Sequence, residues 1–428
     1  MRLRRFVPSF SRVPEIRFAQ VVFIVCLFLQ RFAFPAGGDL KISIATPLIL
    51  GYAGLGLSSW LGLDRRRLAY FLALCSVAIL AYCAQVSLPS AIAPRSSLNS
   101  LAYWLLVTGF GVLSFRRRVN ENEFFRAIMP VFMIVAAAGL LQFLLQFVGI
   151  SAFSFSDYVP ERFLNEELYA VVNHMEYGGD VIRSNGFFLI EASVFSQVMA
   201  VGIIIEYLRF RRPGVLALMA AGLFVSVSGT GWLVLGAFIL IYGVTSGARG
   251  LRTAITLGLA CVLSFIVASV AYPPIADMLV GRLGEFGMQG TSGNERFVTP
   301  ILAMNFVFDW EPYAFWTGIG PGASEHLINF SEKYVLNTPI KVLLEYGIFG
   351  LGFYMLFLLS AVRNGTQRAL VGPLLILLLF AGGYHNFSPM LFPMLLLMNV
   401  ASLSDLPGEF RGQVSKASLA AAISRAGV

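Results

Sequence analysis

Twelve apolar stretches fill most of this chain, and each is close to the length that an α-helix needs to cross a bilayer. About 20 apolar residues span the hydrocarbon core, where only a helix or a closed barrel satisfies every backbone polar group. Hydrophobic residues make up 57% of the 428 residues and charged residues only 13%, which is typical of membrane proteins. The predicted spans are residues 18–35, 42–61, 68–87, 98–115, 128–149, 190–208, 214–228, 231–246, 253–272, 338–361, 369–384 and 387–404. We therefore expect an all-α polytopic membrane protein of about twelve helices, with residues 1–428 forming a single integral membrane domain.

Basic residues gather in every second connection between the spans, in clusters that include residues 65–67, 116–118 and 209–212. Such clusters resist translocation, so they mark the cytoplasmic side. The pattern predicts that both termini are cytoplasmic. The formal net charge of +8 is spread over short loops, which favours contact with anionic membrane lipids and argues against a nucleic-acid partner.

Two outer connections are long, at residues 150–189 and 273–337, and they contain most of the acidic residues of the outer side. Long ordered loops in a compact protein usually carry function. We therefore expect two long periplasmic loops that contain short helices and form the working face. Within the second loop, residues 297–308 have the spacing of a short helix lying near the membrane interface. The aromatic residues that follow fit either an interfacial belt or a platform for sugar stacking.

Residues 214–246 are too many for one span and barely enough for two, and a polar sequence from Ser226 to Gly231 lies in their middle. We expect two short helices that meet in a polar turn below the outer surface. Irregular backbone at that depth is tolerated only where it lines a wet cavity or is covered by protein.

Several classes of chemistry leave no pattern in the sequence. No Gly-rich loop precedes a Lys, which argues against a phosphate-cradling nucleotide site. The span interiors carry almost no charge, whereas ion-coupled transporters keep carboxylates or His at that depth. Asp309 and Glu311 lack the further ligands that a divalent ion needs. The sequence thus predicts neither a cofactor nor a metal site.

Residues able to do chemistry fall in three segments at the outer ends of the spans. They are Arg183 with Gly186 and Glu191, then Arg296 followed by Gly318 and Gly320, then Asn337 with Glu345, Gly347 and Gly350. Their order, over roughly residues 125–400, resembles the bacterial O-antigen ligase and O-antigen polymerase family. In that family an Arg-x-x-Gly-aromatic segment leads into a span, a later loop carries an Arg and a Gly-x-Gly turn, and the next span opens with Glu-x-Gly-x-x-Gly.

The polymerase branch matches better than the ligase branch. Ligases resemble each other in a His-Asn pair at the head of the tenth span, where this chain has Leu336 and Asn337. Ile190 to Ser193 is similar to the Glu-Pro-Ser segment of polymerases, with Ala192 in place of Pro.

The resemblance implies a GT-C-like glycosyltransferase that transfers a glycan from undecaprenyl diphosphate to the non-reducing end of another lipid-linked repeat unit. It also implies a flippase and a chain-length regulator as partners. Two alternatives stay open. One is a ligase that uses lipid A-core as the acceptor, and the other is a flippase for lipid-linked oligosaccharide that performs no chemistry.

Four residues are candidates for the chemistry of such a transfer. Arg183 and Arg296 are expected to bind the diphosphate, because a guanidinium stays protonated and grips phosphate oxygens in pairs. Glu191 is the first candidate for the base that accepts the proton of the acceptor hydroxyl, and His326 is the second. Each has a structural alternative: the Arg residues could pair with loop acids or lipid phosphates, Glu191 could cap a helix or form an ion pair, and His326 could be a solvated surface residue.

The motifs also contain supporting residues, namely Gly186, Gly318, Gly320, Asn337 and Glu345. The glycines permit turns with positive φ. A carboxylate one turn into a span is costly unless it is paired, and Lys341, four residues before Glu345, lies on the same helical face. His385 is predicted to be structural or interfacial.

Overall fold

The computed structural model describes residues 10–35, 41–93, 96–117, 119–150, 159–165, 181–248, 293–330, 334–360, 368–385 and 387–402, with isolated positions between 250 and 291. Its α-helices are α1 (Pro14–Phe28), α2 (Ala45–Leu57), α3 (Arg65–Ser87), α4 (Leu98–Gly109), α5 (Glu121–Leu145), α6 (Ala192–Arg209), α7 (Pro213–Ser226), α8 (Gly229–Thr245), α9 (Thr299–Trp310), α10 (Ala314–Thr317), α11 (Thr338–Leu359), α12 (Arg368–Phe380) and α13 (Ser388–Ser402). Strand β1 (Ala33–Pro35) pairs with β2 (Lys41–Ser43), and β3 (Leu61–Leu63) pairs with β4 (Leu113–Phe115), both antiparallel. The described part of the chain is thus mostly helical and contains no closed sheet.

Four of the described helices are both long and apolar enough to cross a membrane: α3, α5 with a short extension to Val148, α6 and α11. Eleven of the predicted spans coincide with a described helix. The ninth, residues 253–272, lies largely outside the described residues.

The predicted spans 18–35, 42–61 and 98–115 run too far into backbone that is not helical. Their last residues belong to β1, β3 and β4. Because each strand pairs with a segment from elsewhere in the chain, and short apolar runs fit a strand as well as a helix end, hydropathy alone does not separate the two.

Helix α6 lies at the centre of the bundle. In its membrane-length window 72% of the residues are buried, and it packs against α5, α7, α8 and α12. Gly231 allows α8 to approach closely, because a Cβ at this position would lie 2.5 Å from the Ser196 carbonyl oxygen. Residues at the head of α6 are therefore held by the most buried of the four membrane-length helices.

The two ends of α6 differ in chemistry. The helix has 18 residues, a length of about 27 Å that nearly matches a bilayer core of about 30 Å. At its C-terminal end Arg209 pairs with Glu121, and Arg212 pairs with Glu206 at 2.7 Å. The predicted cytoplasmic basic residues thus gather at one end, and Glu191 stands at the other.

Candidate active site

An ion pair at the N-terminal end of α6 joins the two long loops. Glu191 occupies the N-cap position of α6, and its side chain makes no capping hydrogen bond to the helix. Arg296 lies in a π-helical turn, Asn294–Val298, that runs directly into α9. The Arg296 Nη2 atom is 3.0 Å and 3.2 Å from the two carboxylate oxygens of Glu191. The two side chains are only 16% and 11% exposed, respectively, so the structure brings two predicted site residues together across 105 positions of sequence.

One hydroxyl group contacts the carboxylate of Glu191, and three more lie around the first turn of α6. The Ser193 Oγ donates to Glu191 Oε1. Thr230 Oγ1 donates to the Ser193 carbonyl oxygen at 3.3 Å and lies 3.1 Å from both Ser196 Oγ and Ser228 Oγ. Ser228 is the N-cap of α8 and Thr230 lies in its first turn, directly after the short break between α7 and α8, so the predicted pair of short helices with a polar sequence at their junction is confirmed. This turn forms the hydroxyl-rich wall of the candidate site.

Gln142 of α5 holds the segment that carries Arg183. Its Oε1 atom accepts from the backbone N–H groups of residues 185–187 at 2.9 to 3.3 Å and from Ser184 Oγ at 2.9 Å. The Ser184 N–H donates to the Val225 carbonyl oxygen at 3.1 Å, just before the polar turn. Arg183 is therefore partly buried and fixed beside the same turn as Glu191.

Gln30 and Arg31 are site residues that the sequence analysis missed. Both are buried. Arg31 Nη1 donates to the Phe187 carbonyl oxygen at 3.2 Å, and Gln30 Oε1 accepts from the Ile190 N–H at 3.1 Å. The sequence did contain a signal for them, because Gln30 and Arg31 are adjacent polar residues near the end of an apolar span. Gln142, a polar residue inside another span, was a similar signal.

Two residues near the candidate site have strained backbones. Phe187 has φ 63° and Val227 has φ 44°, in the left-handed region that bulky and β-branched residues avoid. Each such conformation costs on the order of 1–3 kcal/mol, and residues of this kind cluster at functional sites because the surrounding structure must hold them.

The glycine motifs of the second loop pack against the start of α11. The N–H groups of Ile319 and Gly320 donate to the carbonyl oxygens of Leu344 and Glu345 at 2.7 and 3.2 Å. A Cβ at Gly347, where φ is 67°, would lie 2.1 Å from the Trp316 carbonyl oxygen. Among the predicted supporting residues, Gly318 and Gly320 are thus in contact with Glu345, and the glycines permit a close approach of two backbones.

The carboxylate of Glu345 is buried and paired. Ser324 Oγ donates to it at 2.6 Å, and Lys341 Nζ lies 3.8 Å away, as the spacing of four residues predicts. Lys341 also forms a closer ion pair with Glu325, and this charge holds the pKa of the Glu325 carboxyl below its usual value. Asn337 accepts from the Ile340 N–H at 3.1 Å and caps α11. These contacts support the site without adding a reactive group to it.

The two histidines near this network differ in their surroundings. His326 is exposed, and no hydrogen bond or ion pair among the described residues joins it to Glu191 or Arg296. His385, in the turn between α12 and α13, is buried, and neither ring nitrogen has a hydrogen-bond partner among the described residues. Burial, and then the charge of Lys341, lower the pKa of His385 well below its usual value.

Comparison with known protein families identifies the family of the segment that contains this ion pair. The sequence profile of the WcaD colanic acid polymerase family matches residues 38–321, well over half of the chain. The chain belongs to this family. No curated protein sequence matches it.

Membership of the WcaD colanic acid polymerase family agrees with the predicted O-antigen polymerase-type resemblance. It implies a membrane glycosyltransferase-type enzyme that polymerises polysaccharide repeat units and uses a lipid-linked oligosaccharide. The matched segment contains Arg183, Glu191 and Arg296 but ends before Asn337 and Glu345. The family match thus covers both sides of the ion pair.

Proposed function

We propose that this protein polymerises surface-polysaccharide repeat units by transferring a glycan from undecaprenyl diphosphate to the non-reducing end of a second lipid-linked unit. The observation that carries the proposal is the Glu191–Arg296 pair, in which a carboxylate and a guanidinium from two long loops meet beside a hydroxyl-rich turn. A transfer of this kind needs a cation for the leaving group and a base for the acceptor, and the pair supplies both.

Arg296 is proposed to leave Glu191 when the donor binds. The diphosphate presents more oxygen atoms and more negative charge than one carboxylate, and a guanidinium binds such oxygens in pairs. Arg183, which directly precedes the segment that Gln142 holds, provides the second guanidinium. The proposal assigns no role to a cofactor or a metal ion.

Glu191, once released, is proposed to act as the base. The acceptor hydroxyl oxygen attacks the anomeric carbon of the donor and forms the new glycosidic bond, while its proton passes to Glu191. The bond between the anomeric carbon and the diphosphate oxygen breaks, and the leaving undecaprenyl diphosphate keeps the electron pair. Ser193 Oγ, which donates to Glu191 in this structure, orients the carboxylate towards the attacking hydroxyl.

Twelve membrane crossings with both termini in the cytoplasm place this site on the periplasmic face of the inner membrane in our proposal. The opposite ends of α6 support it, because the basic residues gather at the Arg209 end and Glu191 stands at the other. A periplasmic site requires a flippase to deliver the donor, and we propose a chain-length regulator as a further partner.

Purified protein in vesicles with a lipid-linked repeat unit provides the test. Arg296→Ala and Arg183→Ala should abolish polymer formation and the release of undecaprenyl diphosphate. The Arg→Lys variants should retain only part of the activity, because the Lys ammonium is a point charge and lacks the planar guanidinium that binds two phosphate oxygens at once. Arg162→Ala, which removes an exposed Arg from the short helix Glu161–Phe163, serves as the matched control and should remain close to wild type.

Normal polymer from both Ala variants would remove the diphosphate role of the two Arg residues. Supplying lipid A-core as an alternative acceptor distinguishes the ligase reaction, because a ligase transfers glycan to the core and builds no polymer. Movement of the lipid-linked unit across the bilayer without release of diphosphate would instead identify a flippase.

A further inference from the structure

Helix α9 presents a buried stripe and an accessible apolar stripe side by side. Residues four positions apart lie on one face of a helix. Ala303 and Val307 form the buried stripe and pack against the rest of the protein. Leu302, Phe306 and Trp310 form the neighbouring stripe, in which Leu302 is 43% and Trp310 66% exposed. An accessible apolar stripe beside a buried one indicates that something other than water covers it.

A third stripe of α9 is mainly polar. It begins at Ile301 and continues with Asn305 and Asp309, all exposed. Going round the helix from the buried stripe, the order is the stripe of Leu302, Phe306 and Trp310, then the polar stripe, then the half-buried Met304 and Phe308, which lead back to the buried stripe. A helix at the meeting line of protein, lipid and water has this order, because each face then meets the medium that it prefers.

The apolar stripe continues onto a helix that is able to cross the membrane. Trp310 is followed by the exposed rings of Tyr313 and Trp316, and Trp316 lies 6.0 Å, between ring centroids, from Phe349 of α11. Phe349 is itself 55% exposed. We name Leu302, Trp310, Tyr313, Trp316 and Phe349 the interfacial patch. It is continuous with the exposed side of α11, and Trp and Tyr are the residues that favour the headgroup level of a bilayer.

We propose that the interfacial patch lies in the headgroup region of the bilayer and sets the height of Arg296 relative to the membrane surface. The ring neighbours of its two Trp residues are Phe side chains, because Trp310 lies 6.2 Å from Phe306 and Trp316 lies 5.2 Å and 6.0 Å from Phe315 and Phe349, between ring centroids. Residues 297–317 contain no Lys or Arg, so the attraction is to the apolar part of the interface and not to lipid charge.

The functional consequence follows from the chain path and rests on the proposed function. The turn Asn294–Val298, which carries Arg296, runs directly into α9. A lipid-linked diphosphate stays at headgroup level, because its hydrocarbon chain lies in the bilayer core. Anchoring α9 at that level therefore places Arg296 and Glu191 where the diphosphate of the donor must lie.

Site-directed spin labelling of the full chain in phosphatidylethanolamine and phosphatidylglycerol vesicles tests the height of α9. In a background with the four native cysteines replaced by Ser, Leu302→Cys and Asn305→Cys place a nitroxide on the apolar and polar stripes of the same helix. The Leu302 label should be more accessible to oxygen, and the Asn305 label to a water-soluble nickel complex. Neither result should change with the phosphatidylglycerol fraction or with salt, because this segment carries no basic residue.

Two labels that are equally accessible to the nickel complex would overturn the proposal and leave the patch a water-exposed platform. Spin–spin broadening from the Leu302 label alone would overturn it in favour of contact with a second copy of the chain. Should the cysteine-free protein fail to fold, quenching by brominated lipids offers a second measurement in the native-cysteine protein. Trp310→Phe should then remove a large part of the quenching, and an unchanged signal would count against the proposal.

Enzyme kinetics separate this inference from the proposed function. Leu302→Ser with Trp310→Ser should raise KM for the lipid-linked donor about tenfold, the equivalent of about 1.4 kcal/mol of lost insertion, with kcat little changed. Asn305→Ser is the matched control and should change neither constant. If the labels have the expected depths but KM is unchanged, the patch lies in the interface and does not set the height of Arg296. If the wild-type protein makes no polymer, the proposed function is wrong, and the depth result is unaffected.

Discussion

Glu191 and Arg296 neutralise each other in a partly buried pair, and this pairing decides how either residue can react. In the proposed mechanism Arg296 leaves Glu191 for the donor diphosphate, so arrival of the substrate releases the carboxylate. The structural alternative, an ion pair that only joins the loops, predicts different behaviour for conservative variants.

Glu191→Gln should lower polymerisation by roughly 10²–10⁴-fold at equal amounts of folded protein, because the amide keeps the shape but cannot accept the proton. Binding of the lipid-linked donor should persist, since Arg296 remains and is less restrained. The measurement is turnover of a purified lipid-linked unit by wild type and Glu191→Gln, with His326→Ala beside them. Near-normal turnover of Glu191→Gln together with loss in His326→Ala would transfer the role of base to His326.

The charge-swapped protein, Glu191→Arg with Arg296→Glu, separates chemistry from structure. It can rebuild an ion pair and so should recover thermal stability relative to either single charge reversal. It should stay inactive, because base and diphosphate ligand have exchanged places. Recovery of polymer in the swapped protein would show that the pair serves only to join the loops.

His385 should make the stability of the protein fall as the pH decreases. Burial lowers the pKa of its imidazole in the folded state, so the unfolded chain binds a proton first, near pH 6.5. The stabilising contribution is complete above that pH and is lost below it, by at most about 1.4 kcal/mol per pH unit. Melting temperatures in detergent at pH 7.5 and 5.5 should show a smaller decrease for His385→Asn than for wild type. His326→Asn, which alters an exposed ring, should behave as wild type does.

At the scale of elements, the contact between the Gly318–Gly320 turn and α11 holds the second loop on the bundle. Gly318 has φ 75° and ψ 174°, a conformation open almost only to glycine. The two backbones touch there, because Ile319 and Gly320 donate to carbonyl oxygens of α11. The π-helical turn with Arg296 belongs to the same loop, so this contact helps to deliver Arg296 to the head of α6.

Gly318→Ala should destabilise the folded protein by roughly 3 kcal/mol or more, from backbone strain and from overpacking. The added Cβ would lie 2.3 Å from the Glu345 carbonyl oxygen. Gly352→Ala is the matched control in α11, because a Cβ there has no heavy atom within 4 Å and Ala favours a helix. Thermal unfolding in detergent measures both variants, and equal melting temperatures would contradict the role assigned to Gly318.

At the scale of the whole molecule, basic residues and candidate site residues lie at opposite ends of the bundle. Helix α3 has the same arrangement as α6, with basic residues at one end and a contact to the site region at the other. It begins at Arg65 after the capping residue Asp64, and Gln85 near its far end donates to the Gly318 carbonyl oxygen at 2.8 Å. Both helices thus have basic residues at one end and contact with the candidate site or its supporting motif at the other, which supports a site on the periplasmic side.

Cysteine labelling tests this orientation in a cysteine-free background. Arg117→Cys should react with a membrane-impermeant maleimide only after the inner membrane is opened, and Arg162→Cys should react in intact spheroplasts. Both positions are exposed. Glu166 and Gly290, which belong to the two long loops predicted to be periplasmic, lie outside the described residues. Labelling of Arg117→Cys and Arg162→Cys from the same side would contradict the predicted topology and therefore the proposed periplasmic active face.

Local patterns in the sequence predicted many of the elements and the identity of the reactive residues. Hydropathy located eleven described helices, and the polar sequence from Ser226 to Gly231 predicted the turn between α7 and α8. Both signals are local, because they depend on the chemistry of neighbouring residues along one segment. The ends of α1, α2 and α4 were missed for the complementary reason, since β1, β3 and β4 exist only through pairing with distant strands.

The sequence by itself determined a membrane-embedded helical protein of polymerase type and named Arg183, Glu191 and Arg296 as its candidates. Only the tertiary structure decided that Glu191 pairs with Arg296, that no hydrogen bond or ion pair among the described residues joins His326 to them, and that Gln30, Arg31 and Gln142 hold the loop of Arg183. The contacts that hold these groups join residues up to 160 positions apart. They depend on how whole helices pack, and no local preference along the chain carries that information.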